Sequence, residues 1–241
     1  MDKDKIKKII HYDGSFLQKI HQWYIMKTPE RTRNKWISQR NKKLQTYGLE
    51  ILNILSSVSK EESKMLWIDY GTLLGAYREH SFISHDYDID CGMYASDYSM
   101  DFENELLDKG LKKQRVLYTK DINSGKNILT EVTFVYKGLL IDIFLYFVQD
   151  NKMFGYGYRQ TVNKKEFKVL KSYLPKVIKL SELPIDGNLY PSPQNADEIL
   201  KTVYGSKFMT PIKDFVMPDS DSHYEHLDFS AFRGYMKGNM I

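Results

Sequence analysis

Residues 83–93 read Ile83-Ser84-His85-Asp86-Tyr87-Asp88-Ile89-Asp90-Cys91-Gly92-Met93, with Asp86, Asp88 and Asp90 at every second position. If the segment is a strand, that spacing places all three carboxylates on one face, because strand side chains alternate between faces. Like charges gathered on one face repel each other. A divalent cation relieves the repulsion, and hard carboxylate oxygens suit Mg²⁺ or Mn²⁺ better than zinc. An acidic loop and a calcium site are the other readings of the triplet. The calcium-loop pattern, with Gly at its sixth position and a closing Glu, is interrupted by Ile89 and Cys91.

Upstream, Met65 to Tyr70 reads as a short buried strand ended by Gly71, and Thr72-Leu-Leu-Gly-Ala-Tyr-Arg-Glu79 has helical character. The order is therefore strand, Gly-Thr turn, short helix, aspartate strand. A glycine between strand and helix lets backbone N–H groups approach a phosphate, and the helix N-terminus favours negative charge. Gly71 and Thr72 are thus candidate phosphate contacts, with the Thr72 hydroxyl as an added donor. Arg78 is either a further phosphate contact or an ion-pair partner. His85 is either a general base or a surface residue.

Downstream, Asp142 sits in Leu-Leu-Ile-Asp-Ile-Phe-Leu-Tyr-Phe, residues 139–147. An isolated carboxylate in such surroundings is costly unless hydrogen-bond donors or a cation compensate it. Backbone N–H groups are one answer, and a cation shared with the aspartate strand is the other. Two strands are expected here, Leu129 to Tyr136 and Leu139 to Phe147, joined at Lys137-Gly138 as a hairpin. Helices are expected over Phe16 to Tyr24, from about Trp36 to Val58, over Asp97 to Asp108 with Gly110 past its end, and over Ala196 to Tyr204 ended by Gly205. Asp186-Gly187 marks a turn. Phe154, Tyr156, Tyr158 and Arg159 are either the lining for an acceptor or cargo, or ordinary strand packing. The polar tail after Pro211 carries no assignable element.

Composition bounds the rest. The chain has 241 residues, 42% of them hydrophobic, which suits one domain with appendages. No apolar run approaches the roughly 20 residues of a membrane span, and the start, MDKDKIKKII, lacks the apolar core of a signal peptide. Cytoplasmic residence is the default expectation, with Cys91, the single cysteine, read as packing. Residues 1–43 hold 12 Lys/Arg against 4 Asp/Glu, whereas the remainder holds 23 against 27. This basic front is either a solvated helical surface or a contact for anionic lipid headgroups or an acidic glycolipid, giving peripheral membrane contact. Nucleic acid is not the expected partner, since no recognition motif accompanies the charge.

A Gly-Thr turn, a D-x-D on the next strand and a third Asp on a later strand match the nucleotidyltransferase-like (polymerase-β-like) fold. More closely, residues 67–93 resemble the signature of the LicD/fukutin family: Trp67, Asp69, Gly71 to Gly75, Arg78, Glu79, Phe82, Ile83, Asp86, Asp88 and Asp90. The segments around Asp142 and Tyr204-Gly205 also look like family features, so the resemblance spans about Met65 to Pro211. It implies an α+β fold: a mixed-sheet core flanked by helices, with an N-terminal helical extension. The expected division is a basic helical region over 1–60, a catalytic domain over 61–211 and a tail over 212–241.

The resemblance further implies metal-dependent transfer of a phosphorylated alcohol from a CDP-linked donor such as CDP-choline to a sugar hydroxyl of a glycan or glycolipid, releasing CMP. Lipopolysaccharide, capsule and teichoic acid are the expected acceptors. Asp88, Asp90 and Asp142 are the expected catalytic set and, with Asp86, the metal ligands; Gly71, Thr72 and Arg78 would bind the donor. Asp69 is expected to orient the turn or the acceptor. With 18 Tyr, 12 Phe and 3 Trp, an aromatic cage for choline is feasible. Two alternatives stay open: a true nucleotidyltransferase that leaves NMP on its target, and a noncatalytic glycan-binding module.

Overall fold

The computed structural model describes residues 30–160, 166–212 and 223–238. The helix expected over Phe16 to Tyr24 lies outside them. Described first is α1, Glu30–Glu61, longer than the Trp36–Val58 reading at both ends. Its buried stripe, Leu44, Ile51, Leu55 and Val58, recurs at helical spacing and joins the main core. Gly48 lowers helix propensity but has a packing reason: a Cβ there would lie 2.6 Å from the Phe82 ring.

β1 (Leu66–Ile68) leads into α2 (Tyr70–Glu79), capped by Asp69, whose carboxylate accepts the Tyr70 N–H at 2.9 Å. β2 (Asp88–Tyr94) follows, so the acidic strand begins two residues after Asp86. α3 (Met100–Asp108) is capped by Ser99, which accepts the Phe102 N–H, and it buries Phe102 and Leu106. Then come β3 (Lys112–Asp121), β4 (Asn127–Tyr136), β5 (Leu139–Gln149), β6 (Lys152–Gln160), β7 (Phe167–Pro175), the hairpin β8 (Leu180–Ile185) and β9 (Asn188–Pro193), α4 (Ala196–Tyr204), β10 (Tyr224–His226) and β11 (Phe232–Gly238). Three hairpin turns place both central residues at positive φ: Lys137-Gly138, Asp150-Asn151 and Asp186-Gly187. That backbone matches the twist of paired strands, which is why the two Gly-containing pairs were readable as turns.

The mixed-sheet core flanked by helices that the resemblance implied is not the architecture. Strands dominate, and β5, β4, β3, β11, β7 and β6 pair in that order until β6 returns to β5, closing a six-stranded antiparallel barrel with few helices around it. The polymerase-like reading followed the local order of residues 65–147, whereas closure depends on pairings far apart in sequence. β11, from the tail that carried no assignment, lies between β3 and β7. Gly234 meets Phe167 there, and a Cβ on it would collide with the Tyr158 ring.

Outside the ring, β1 and β2 extend the sheet from β5. β2 runs parallel to β5, with Asp90 directly across from Asp142 and Asp88 across from Leu140. Ile89 and Cys91, on the opposite face, are buried with Ile141 and Ile143 in the core shared with α1. The barrel interior holds a second cluster of Leu117, Tyr158, Phe167 and Val169.

Candidate functional site: an acidic cluster on neighbouring parallel strands

Alternation along β2 sends Asp88 and Asp90 to one face, and the parallel register brings Asp142 beside Asp90 on the adjoining strand. One oxygen from each of the three lies within 4.8 Å of the others. Asp142 is only 1% exposed, whereas Asp88 and Asp90 are half-buried, so the cluster has an enclosed side and an accessible side. Three converging carboxylates are a hard-oxygen donor set, and the two accessible ones leave room for further ligands of a divalent ion.

The surroundings position these groups. Gly71 donates its N–H to Asp90 Oδ2 at 3.1 Å, and Thr72 Oγ1 accepts the Asp90 N–H at 2.9 Å. The residues read as a phosphate cradle thus hold Asp90 in this structure, from the first turn of α2. A Cβ on Gly71 would come within 2.7 Å of Asp86 Oδ2, so only glycine lets the helix approach so closely. Asp86 lies in the loop ahead of β2, where Oδ1 accepts the Tyr87 N–H at 3.0 Å. Burial raises its carboxyl above the ordinary range, and a hydrogen bond shared with Asp88 opposes that shift.

Asp69 is 2% exposed and accepts the Tyr146 hydroxyl at 2.6 Å as well as the Tyr70 N–H. Burial outweighs these bonds and the contribution of the Trp67 side chain, and raises its carboxyl to about 6. It fixes the start of α2 and the junction with β5. Arg78 is held by Glu79 and by the Phe208 carbonyl. His85 is exposed. Phe154 and Tyr158 are buried; Tyr158 points its hydroxyl at Thr119, 3.0 Å away, and at Thr130, inside the barrel.

Further participants lie outside the expected site set. Arg115, from β3, is 4% exposed and donates from Nη2 to Asp142 Oδ1 and to Glu131 Oε1, both at 3.1 Å. Thr133 also donates to Asp142 Oδ1. The compensation that a buried Asp142 demands is therefore supplied partly by an arginine and a threonine hydroxyl. Arg40, on α1, is half-buried and interacts electrostatically with Tyr87, Asp88 and Asp142. Beside it, Asn41 Nδ2 donates to the Asp86 carbonyl at 2.9 Å. Tyr204, at the end of α4, is within electrostatic reach of Asp90 and Asp86; burial first, then those charges, raises its phenol. Partnered only through tertiary structure, Arg40 and Arg115 carried no local signal.

Residues 65–195 match the family described as LicD/FKTN/FKRP, nucleotidyltransferase domain. The chain belongs to the LicD family. Membership makes it a phosphotransferase acting on glycans in the general sense, of a family that generally depends on divalent metal, and the acidic cluster lies within the matched segment. No curated protein matches the chain. Among the described residues no helix is long and apolar enough to cross a membrane.

Proposed function

We propose that the protein transfers a phosphorylated alcohol, phosphocholine first among the choices, from a CDP-linked donor to a sugar hydroxyl of a cell-surface glycan such as lipopolysaccharide, capsule or teichoic acid, releasing CMP. The observation that carries this reading is the convergence of Asp88, Asp90 and Asp142 within 4.8 Å on one face. Mg²⁺ or Mn²⁺ bound there would neutralise charge on the donor pyrophosphate. Asp88 and Asp90 would hold such an ion from the accessible side and Asp142 from the enclosed side. Gly71 and Thr72 keep Asp90 in place through its carboxylate and its backbone N–H. Arg40 offers a guanidinium to donor phosphate, which it suits by its forked geometry. Tyr70, Tyr87 and Tyr204, all half-buried around the acidic groups, suit a quaternary ammonium better than the barrel-bound Tyr158 does.

The basic balance of residues 1–43 supports an anionic acceptor, and work at the cytoplasmic face of a membrane. Incubation with CDP-choline, CDP-glycerol, CDP-ribitol or CDP-ethanolamine, with CMP release and the acceptor product read by mass spectrometry, tests the proposal. CMP release that Asp88→Ala abolishes is expected. A nucleoside found on the acceptor would replace it with nucleotidyl transfer, and transfer surviving Asp88→Ala at saturating Mg²⁺ would overturn the metal assignment.

A further inference from the structure

Asp142 does not need Glu131 for its own sake. One arginine suffices to compensate one buried carboxylate, and burying a second charge is costly unless something is gained. Yet Arg115 Nη2 is shared between Asp142 and Glu131 at equal distances of 3.1 Å, and Glu131 is only 4% exposed. Glu131 is outside the three-carboxylate group whose oxygens converge within 4.8 Å. An Arg115 paired with Asp142 alone would cancel its charge and repel a cation. With Glu131 present, the Arg115 charge is balanced from behind, and Asp142 keeps its charge toward Asp88 and Asp90. Arg115 and Thr133 both engage Oδ1 and so fix the Asp142 carboxylate.

We infer that Glu131 and Arg115 are positioning residues that set the cation affinity of the acidic cluster: Arg115 orients Asp142, and Glu131 neutralises Arg115 so that the cluster retains its charge. This rests on the divalent-metal reading above. Mn²⁺ binding to the full chain, followed by isothermal titration calorimetry without nucleotide, tests it alongside thermal unfolding of the metal-free protein. Glu131→Gln is expected to weaken Mn²⁺ binding roughly tenfold, the scale of outer-shell effects on metal affinity. Metal-free melting should stay unchanged or rise, because Arg115 then faces Asp142 without a second buried carboxylate to desolvate. Glu131→Asp, which keeps the charge, should bind Mn²⁺ as the wild type does. The double variant Glu131→Gln/Arg115→Met should recover affinity relative to Glu131→Gln. Unchanged Mn²⁺ affinity in Glu131→Gln, or a fall in its metal-free melting temperature, would overturn the inference while leaving phosphotransfer standing. Failure of the wild type to bind Mn²⁺ would overturn the metal reading and this inference together.

Discussion

At the residue scale, the same residue type takes different work according to its surroundings. Asp69 and Asp142 are both almost fully buried carboxylates. Asp142 is answered by a guanidinium, whereas Asp69 has neutral donors, among them a phenol and a backbone N–H, and its carboxyl rises from 3.8 to about 6. Between those pH values the folded chain binds a proton that the unfolded chain releases. The contribution of Asp69 to stability is therefore fully present below pH 3.8 and is lost as pH rises through about 6, by on the order of 3 kcal/mol. Asp69→Asn cannot ionise, so urea-unfolding stability measured across that window should fall less steeply than in the wild type. Identical slopes would show that Asp69 is not the titrating group. Gly71 offers a second residue-scale test. A Cβ 2.7 Å from Asp86 Oδ2 must push that carboxylate aside, and at 3.4 Å from Asp90 Oδ2 it crowds the neighbouring one. Gly71→Ala should weaken Mn²⁺ binding and turnover while melting shifts little, since Asp86 is in a loop that can yield.

At the element scale, α1 connects the basic front of the chain to the site. Its buried stripe secures it to the core, and from the same helix Arg40 reaches Asp88 on β2 while Asn41 holds the loop at Asp86. Arg40→Ala is expected to raise the donor KM about tenfold, which corresponds to about 1.4 kcal/mol, at the low end for a hydrogen bond to a charged group. Steady-state kinetics with the donor varied would detect it, and an unchanged donor KM would remove Arg40 from the donor site. The elements themselves differed in how readily they could be read. α4 appears at the limits that its periodicity and Gly205 implied, and the β4–β5 hairpin follows its Lys-Gly turn. β3, with Lys112, Lys113, Arg115 and Lys120, looks too polar for a strand until its partners are known. Its arginine faces two buried acids, and that fact belongs to no local window.

At the scale of the whole molecule, closure of the barrel rests on a narrow seam. β11 meets β7 through Gly234 and Phe167 while pairing with β3 along most of its length. A larger side chain at Gly234 must displace the Tyr158 ring, so Gly234→Leu should cost about 3 kcal/mol and speed amide exchange in β11 and β3. Protection equal to the wild type would mean that the seam tolerates opening.

Residue order and chemistry alone put Asp88 and Asp90 on one face, because a two-residue spacing has one geometric meaning on a strand, whereas Asp86, read with them, lies in the loop ahead of it. The family followed from the same residues. Tertiary structure decided the rest: that Asp142 stands beside Asp90, that Arg115 and Glu131 stand behind it, and that a tail strand closes a barrel. Local sequence encodes backbone geometry and which side chains share a face, but charge pairing and ring closure join residues whose proximity exists only after the chain has packed.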